Sequence, residues 1–146
     1  MNPPSHVSAR VTHHFGASPE RVFDAWLDPK TAGRWLFATP GGQMVRVEID
    51  ARVGGWFCLV DRRNGDDVSH IGRYLEIERP RRLVFNFTAE PQAPAHDRVT
   101  VDIAPMQAGC RLTLTHDVRA AWADYLPRIE RGWAEIVDGL AEMLGR

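Results

Sequence analysis

The sequence predicts an α+β domain in which a curved, seven-stranded antiparallel sheet wraps around one long C-terminal helix. Three observations carry this prediction: an alternating strand pattern near the N-terminus, six further strand patterns between residues 43 and 116, and a final amphipathic helix pattern. Two short helix signals follow the first strand pattern. A strongly curved sheet cannot fill its concave face with its own side chains, so we expect the long helix to fill it.

Length and composition predict a globular protein with one domain, residues 1–146, and a core from about 7 to 144. Hydrophobic residues make up 44% of the chain, charged residues 25%, and the net charge is −1. We therefore expect no nucleic-acid partner. The sequence has no secretory signal pattern and no apolar run of membrane-spanning length, which predicts a cytoplasmic protein without membrane insertion.

The first 36 residues predict a strand and two short helices. Residues 7–15 alternate between two faces, as in a half-buried strand. The serine–proline pair at 18–19 is a helix start signal, because the hydroxyl caps the first turn and proline suits the first helical position. The aspartate–proline pair at 28–29 repeats this signal, so a second short helix is expected to carry Trp35.

The middle of the chain predicts six consecutive strands joined mainly by short turns. The strand patterns cover residues 44–50, 54–60, 69–78, 82–87, 98–104 and 110–116. The pair Asn64-Gly65 is typical of a two-residue hairpin, and Pro80 marks another tight turn. Residues 88–97 predict a longer loop that contains prolines. Such an order is typical of an antiparallel meander.

The chain ends in a pattern typical of a long amphipathic helix. One stripe contains Ile129, Trp133, Ile136, Val137, Leu140 and Leu144. Pro127 must lie in the first turn of this helix or kink it. A gap between such a helix and a curved sheet is a common ligand site.

Five segments, in this order, carry a resemblance to a known family: "SPERVFDAWLDP", "RVGGWF", "HIGRYLEIERPRRLVFNF", "GCRLTLTH" and "GWAEIVDGLAEML". The chain resembles bacterial, single-domain members of the family similar to the activator of the heat-shock-protein-90 ATPase. That family belongs to the SRPBCC superfamily of START-like, helix-grip folds. The resemblance runs from Val7 to Leu144 and implies the helix-grip fold. Leu36 and Cys110 depart from residues common in similar sequences, and both changes can alter the cavity lining.

The resemblance also implies a range of functions. Members of the superfamily bind hydrophobic or amphipathic small molecules, and some relatives are cyclases or other enzymes. The eukaryotic namesakes are co-chaperones with an additional domain, so we do not expect that role to transfer to this chain. We expect a small hydrophobic or amphipathic ligand between the sheet and the helix, with no evident catalysis and no cofactor.

Mainly aromatic residues from several elements are the predicted lining of this cavity. The candidates are His13, Trp26, Trp35, Phe57, Arg73, Phe85, Phe87, Trp133 and Ile136. Aromatic rings suit walls around flat apolar ligands, although they also simply fill cores. Arg73 alternates with apolar residues and would orient a ligand anion if it pointed inward. The favoured interpretation is an outer-face arginine whose stem lies over apolar neighbours.

The histidine pair at 13 and 14 does not predict a metal site, because adjacent strand residues point to opposite faces. A hydrogen-bonded histidine in the core or at its rim is the favoured interpretation of His13. No metal-ligand spacing, nucleophile elbow or dinucleotide fingerprint is present in the sequence. The histidine–aspartate dipeptide at 116–117 lies at a predicted strand end and does not indicate a functional site without partner residues.

Two other functions stay open. A cyclase-like or hydrolase-like enzyme would use Arg73, His13 or Tyr74 in the same cavity, and it needs two titratable groups within hydrogen-bond reach. A protein-interaction or stress-response module would act through an exposed apolar patch. A homodimer is one form of that second alternative.

Overall fold

The computed structural model describes residues 6–39, 41–88 and 97–145. Its strands are β1 His6–Phe15, β2 Gln43–Ile49, β3 Trp56–Arg63, β4 Asp66–Glu78, β5 Arg82–Thr88, β6 Asp97–Met106 and β7 Gly109–Arg119. Its α-helices are α1 Pro19–Leu27, α2 Pro29–Trp35 and α3 Leu126–Met143.

All seven strands belong to one antiparallel sheet in the order β1-β7-β6-β5-β4-β3-β2. Strands β2 to β7 form the predicted meander, and β1 pairs with β7 at the end of the sheet. The predicted helix-grip architecture is confirmed, with a long C-terminal helix and two short helices after the first strand. Most of the predicted loop at 88–97, namely residues 89–96, lies outside the described residues.

The two short helices begin where the sequence predicts. The backbone N–H of Arg21 donates to Ser18 Oγ over 3.2 Å, which caps α1. The backbone N–H of Lys30 donates to Asp28 Oδ1 over 3.0 Å, which caps α2. The N–H of Asp28 also donates to the carbonyl of Asp24, so one residue ends α1 and begins α2.

The hairpin between β3 and β4 turns at Asn64 and Gly65, as predicted. Their φ angles are 53° and 86°, and positive φ at both central positions suits the twist of paired strands. Asparagine and glycine tolerate this conformation better than other residues, so the turn fixes the register of the strands on either side.

The core lies between the concave face of the sheet and α3. On α3, the buried residues are Trp133, Val137, Leu140 and Ala141. Partly buried Ile129, Ile136 and Leu144 pack against the same core, so the predicted stripe is confirmed. A 3₁₀ segment, Ala120–Tyr125, precedes α3 and was not predicted. Among the helices in the described ranges, none has the length and apolar character needed to span a membrane.

Strand β4 changes its inward face at a β-bulge. Tyr74 pairs with Phe85, but the next regular pair is Glu76 with Val84, so one extra residue lies in β4. Tyr74 is buried before the bulge, and Ile77 packs against the core after it.

The bulge explains why Arg73 is not a lining residue. The sequence pattern placed Arg73 and Ile77 on the same face, because residues four positions apart share a face in a regular strand. The extra residue of the bulge puts them on opposite faces. In the structure Arg73 is exposed, and its guanidinium carbon lies 4.1 Å from the ring centroid of exposed Trp56. The prediction that Arg73 lines the cavity is therefore wrong, and the outer-face interpretation is confirmed.

Candidate ligand-binding site

An aromatic cluster fills the space between the sheet and α3. We call it the aromatic interior, and it comprises Trp26, Phe37, Phe57, His70, Phe85, Phe87, His116 and Trp133. Trp133 on α3 is central, with ring centroids of Phe37 and Phe87 at 5.6 and 6.0 Å. Edge-to-face and tilted contacts of this kind stabilise aromatic pairs beyond simple burial.

The structure brings most of the predicted lining residues into one core. The buried members are Trp26, Trp35, Phe57, Phe85 and Trp133, and partly buried Phe87 and Ile136 pack against them. His13 lies at its edge: the ring is 4.7 Å from that of Phe15, and Nδ1 is 3.6 Å from Asp138 Oδ1 on α3. His13 is thus a rim histidine, as the favoured interpretation held. Contact with a ligand remains a prediction for all of them.

A hydrogen-bonded chain links α3, β7 and β6. Trp133 Nε1–H donates to His116 Nδ1 over 2.9 Å, and His116 Nε2 lies 3.1 Å from Asp97 Oδ2. Since an indole N–H can only donate, Nδ1 accepts, and in the neutral ring Nε2 carries the proton that is donated to Asp97. Both ring nitrogens of the buried His116 are therefore occupied.

Sequence reasoning missed His116, although a signal was present. Cys110, Leu112, Leu114 and His116 alternate along β7, and all four are buried. A histidine that continues an apolar alternation faces the core and needs a buried partner there. The partners come from other elements, so the sequence did not reveal them.

His70 on β4 is the second buried histidine. It is 7% exposed, its ring stacks on Phe37 with centroids 4.1 Å apart and planes 5° apart, and its Nδ1 has no hydrogen-bond partner. Burial lowers the pKa of His70 to about 4, and the charge of Arg63 acts in the same direction. The imidazole is therefore neutral near pH 7.

Phe37 covers one face of His70 from the loop between α2 and β2. Phe37 is 4% exposed and has a φ of 59°, in the left-handed region that bulky side chains rarely adopt. No sequence signal pointed to it, because neither a helix nor a strand period applies to a loop.

A polar latch holds this loop against β3. Asp61 is 1% exposed, and its Oδ2 accepts from Thr39 Oγ1 and from Arg63 Nε, each over 2.7 Å. Arg63 Nη2 also donates to the carbonyl of Phe37 over 3.3 Å. The buried charge of Asp61 is thereby paired with Arg63, and the loop is tied to the sheet at two points.

Trp26 contributes another buried polar atom without a partner, its indole Nε1. The neighbouring Trp35, whose ring centroid is 4.7 Å away, differs in having a partner: its Nε1–H donates to the carbonyl of Ala25 over 3.2 Å. Buried indole nitrogens normally have an acceptor.

Other reactive groups of the interior are not activated. Burial raises the pKa of the Cys110 thiol and of the Tyr74 phenol, so both stay protonated near neutral pH. Within the part of the chain that the structure describes, no three His, Cys, Asp or Glu side chains lie together in a way that could hold a metal ion.

A family model described as activator of Hsp90 ATPase homolog 1-like protein matches residues 16–145. The chain belongs to this family. This AHSA1-like protein is 28% identical to a protein of solved structure from Chromobacterium violaceum, with a TM-score of 0.78 over 93% of this chain and 95% of the other. A comparison with the curated proteins gave no significant match.

More distant structures show the same fold. An AHSA1-like protein from Aeromonas hydrophila is 23% identical, with a TM-score of 0.82 over 95% of this chain and 92% of the other. A protein of unknown function from Staphylococcus aureus is 18% identical, with a TM-score of 0.85 over 96% and 94% of the two chains. The START-like fold typically binds ligands in a cavity, which agrees with the position of the aromatic interior.

Proposed function

We propose that this AHSA1-like protein binds a small hydrophobic or amphipathic molecule in the aromatic interior. The main observation is that Trp26 Nε1 and His70 Nδ1, which lie among apolar rings, are buried without hydrogen-bond partners. Among the described residues, Asp61 Oδ1 is also buried without a partner, but its carboxylate is paired with Arg63 through Oδ2. Leaving such a group unsatisfied costs about 1–3 kcal/mol, so a ligand that bonds to either atom gains affinity from it.

The surroundings of these atoms support an amphipathic rather than a purely polar ligand. Trp26 contacts the rings of Phe85 and Trp133, with centroids at 6.2 and 6.5 Å. His70 contacts Phe37 and Phe87. A ligand there would bury apolar surface and need only one or two polar groups, as in most small-molecule sites.

The enzyme alternative finds less support among the described residues. Of its three candidate groups, Arg73 lies on the outer face of the sheet, and burial keeps Tyr74 protonated, so Tyr74 cannot act as a base near neutral pH. The third, His13, lies at the rim of the core with Nδ1 3.6 Å from Asp138 Oδ1. His116 has a carboxylate in reach, but Trp133 and Asp97 occupy both of its ring nitrogens. A general base needs a free nitrogen toward the substrate.

Native mass spectrometry of the gently purified protein tests the proposal. We expect a mass above that of the chain, which returns to the chain mass after denaturation, together with a released small molecule. A bare chain mass, combined with no thermal stabilisation by a broad lipid and aromatic panel, would contradict ligand binding. The same spectrum reports whether the protein forms a homodimer.

The variant Trp26→Phe sharpens this test. It removes the unpartnered indole N–H and keeps an aromatic ring, so we expect less ligand to co-purify. Trp35→Phe is the matched control, because the N–H of Trp35 already donates to a backbone carbonyl. Equal ligand occupancy in the two variants would show that Trp26 Nε1 makes no bond to the ligand.

A further inference from the structure

Phe37 occupies a position that its own backbone does not favour. A φ of 59° brings the Cβ of a bulky residue close to its following carbonyl oxygen. The conformation persists because the ring is enclosed by His70, Phe87 and Trp133, and because Arg63 holds the Phe37 carbonyl. Such strained residues persist only where the surroundings enforce them, and they cluster at binding sites.

Phe37 covers the ring of His70, which has a hydrogen-bonding atom without a partner. The His70 side chain is only 7% exposed, and its Nδ1 has no hydrogen-bond partner. The two rings are parallel, which is the arrangement of a flat ligand on an imidazole. A second aromatic ring on this face of His70 must therefore take the place of Phe37.

The chemistry of His70 selects the group that such a ring carries. A neutral imidazole has one donor and one acceptor nitrogen, and a hydroxyl group can serve either because it both donates and accepts. A carboxylate only accepts, and burying its charge among apolar rings is costly. The charges that act on His70 are those of Arg63 and Asp61, and these two side chains are paired with each other over 2.7 Å.

We infer that the site selects an uncharged planar ring that carries a hydroxyl group, and that this ring displaces Phe37 and bonds to Nδ1 of His70. The inference rests on the proposed function and narrows its ligand class. On binding, the Phe37 side chain leaves the interior and its backbone leaves the left-handed region. The latch of Thr39, Asp61 and Arg63 keeps the loop in place when no ligand is bound.

Phenol, toluene and benzoate form a matched set of probes, because they share one ring and differ in the attached group. With Phe37→Ala, which vacates the position, we expect phenol to bind at least about ten-fold more tightly than toluene or benzoate, a factor of ten being about 1.4 kcal/mol. The wild-type protein should rank the three probes in the same order, but it should bind phenol at least about ten-fold more weakly than Phe37→Ala does. Titrations followed by NMR measure both.

The role of His70 is tested by Phe37→Ala/His70→Leu, in which the preference for phenol over toluene should vanish. An apolar cavity made by truncation alone binds apolar rings without regard to a hydroxyl. The control Phe37→Ala/His14→Leu changes an exposed histidine and should keep the preference. A second measurement does not depend on the folding of Phe37→Ala/His70→Leu. In Phe37→Ala, the ¹⁵N resonance of His70 Nδ1 should shift when phenol is added.

Equal binding of phenol and toluene by Phe37→Ala, or tighter binding of benzoate, would overturn the ligand class. Equal binding of phenol by wild type and Phe37→Ala would overturn the displacement of Phe37. These outcomes are separate from the proposed function, which fails only if native mass spectrometry and the ligand panel find no bound molecule.

Discussion

At the scale of single residues, His70 and His116 show how one side-chain type takes two roles in one core. His116 has both ring nitrogens hydrogen-bonded, which fixes its orientation among Phe87 and Trp133. His70 has a free Nδ1 and stacks on Phe37. We interpret the first as a structural histidine and the second as the candidate ligand contact.

We expect the protonation of His70 to make the free energy of unfolding depend on pH. Its pKa is lowered from 6.5 to about 4 by burial, so the unfolded chain binds the proton more readily than the folded protein. Acid therefore favours unfolding: stability is lost as the pH falls through about 6.5, and the loss levels off below about 4. We expect wild type to lose about 2 kcal/mol more than His70→Phe between pH 7 and pH 5.

Urea unfolding at the two pH values measures this difference. His14→Phe changes an exposed histidine and serves as the control for the substitution itself. Equal pH dependence of wild type and His70→Phe would show that His70 titrates alike in the folded and unfolded chains.

The bond between Trp133 and His116 should couple the two residues energetically. Trp133→Phe leaves a buried acceptor without its donor, which costs about 1–3 kcal/mol. In a His116→Leu background that cost is absent, so a double-mutant cycle should give a coupling of at least about 1 kcal/mol. Additive effects of the two substitutions on the unfolding free energy would contradict this hydrogen bond.

At the scale of elements, the sheet depends on close approach of neighbouring strands at Gly72. A Cβ added there would lie 1.9 Å from the backbone oxygen of Asn86 and 2.5 Å from ring atoms of Phe57. Gly72→Ala forces strands β4 and β5 or the Phe57 ring to move, and we expect it to destabilise the protein by about 3 kcal/mol or more.

Gly132 on α3 is the matched control for this prediction. A Cβ added there meets no atom within 4 Å, and glycine lowers helix stability relative to alanine. Gly132→Ala should therefore stabilise the protein by about 0.5–1 kcal/mol. Thermal unfolding of both variants compares them directly, and a similar effect of the two substitutions would contradict the contact at Gly72.

At the scale of the whole molecule, one hydrophobic cluster contains side chains from the sheet and from all three α-helices. No second cluster of buried residues is present among the described parts of the chain. We therefore propose that the chain unfolds as one cooperative unit, as small single domains usually do.

Two probes of unfolding test this cooperativity. Tryptophan fluorescence reports mainly on the core, and far-ultraviolet circular dichroism reports on the backbone. The two should give coincident transitions in urea. Separated midpoints would show that the sheet and the helix–aromatic core unfold independently.

The sequence by itself determined the strands and α-helices and their order, but not the 3₁₀ segment before α3. Local chemistry was sufficient at the caps Ser18 and Asp28, at the Asn64-Gly65 turn and along the stripe of α3. Each of these signals depends on residues a few positions apart, whose interactions do not require the rest of the fold. The resemblance to the AHSA1-like family rested on five segments, two of which contain the cap residues Ser18 and Asp28 and most of the stripe of α3.

Only the tertiary structure decided which side chains share the site. The bulge at Leu75 and Glu76 reversed the inward face of β4 and moved Arg73 outside, because a strand period cannot reveal an extra residue. Phe37 stacks on His70 from a loop, where no helix or strand periodicity predicts which side chains point inward. His116 hydrogen-bonds to Trp133 on α3 and to Asp97 on β6, which are distant from it in sequence. Contacts between residues distant in sequence depend on how the sheet curves around α3, and no local pattern encodes that geometry.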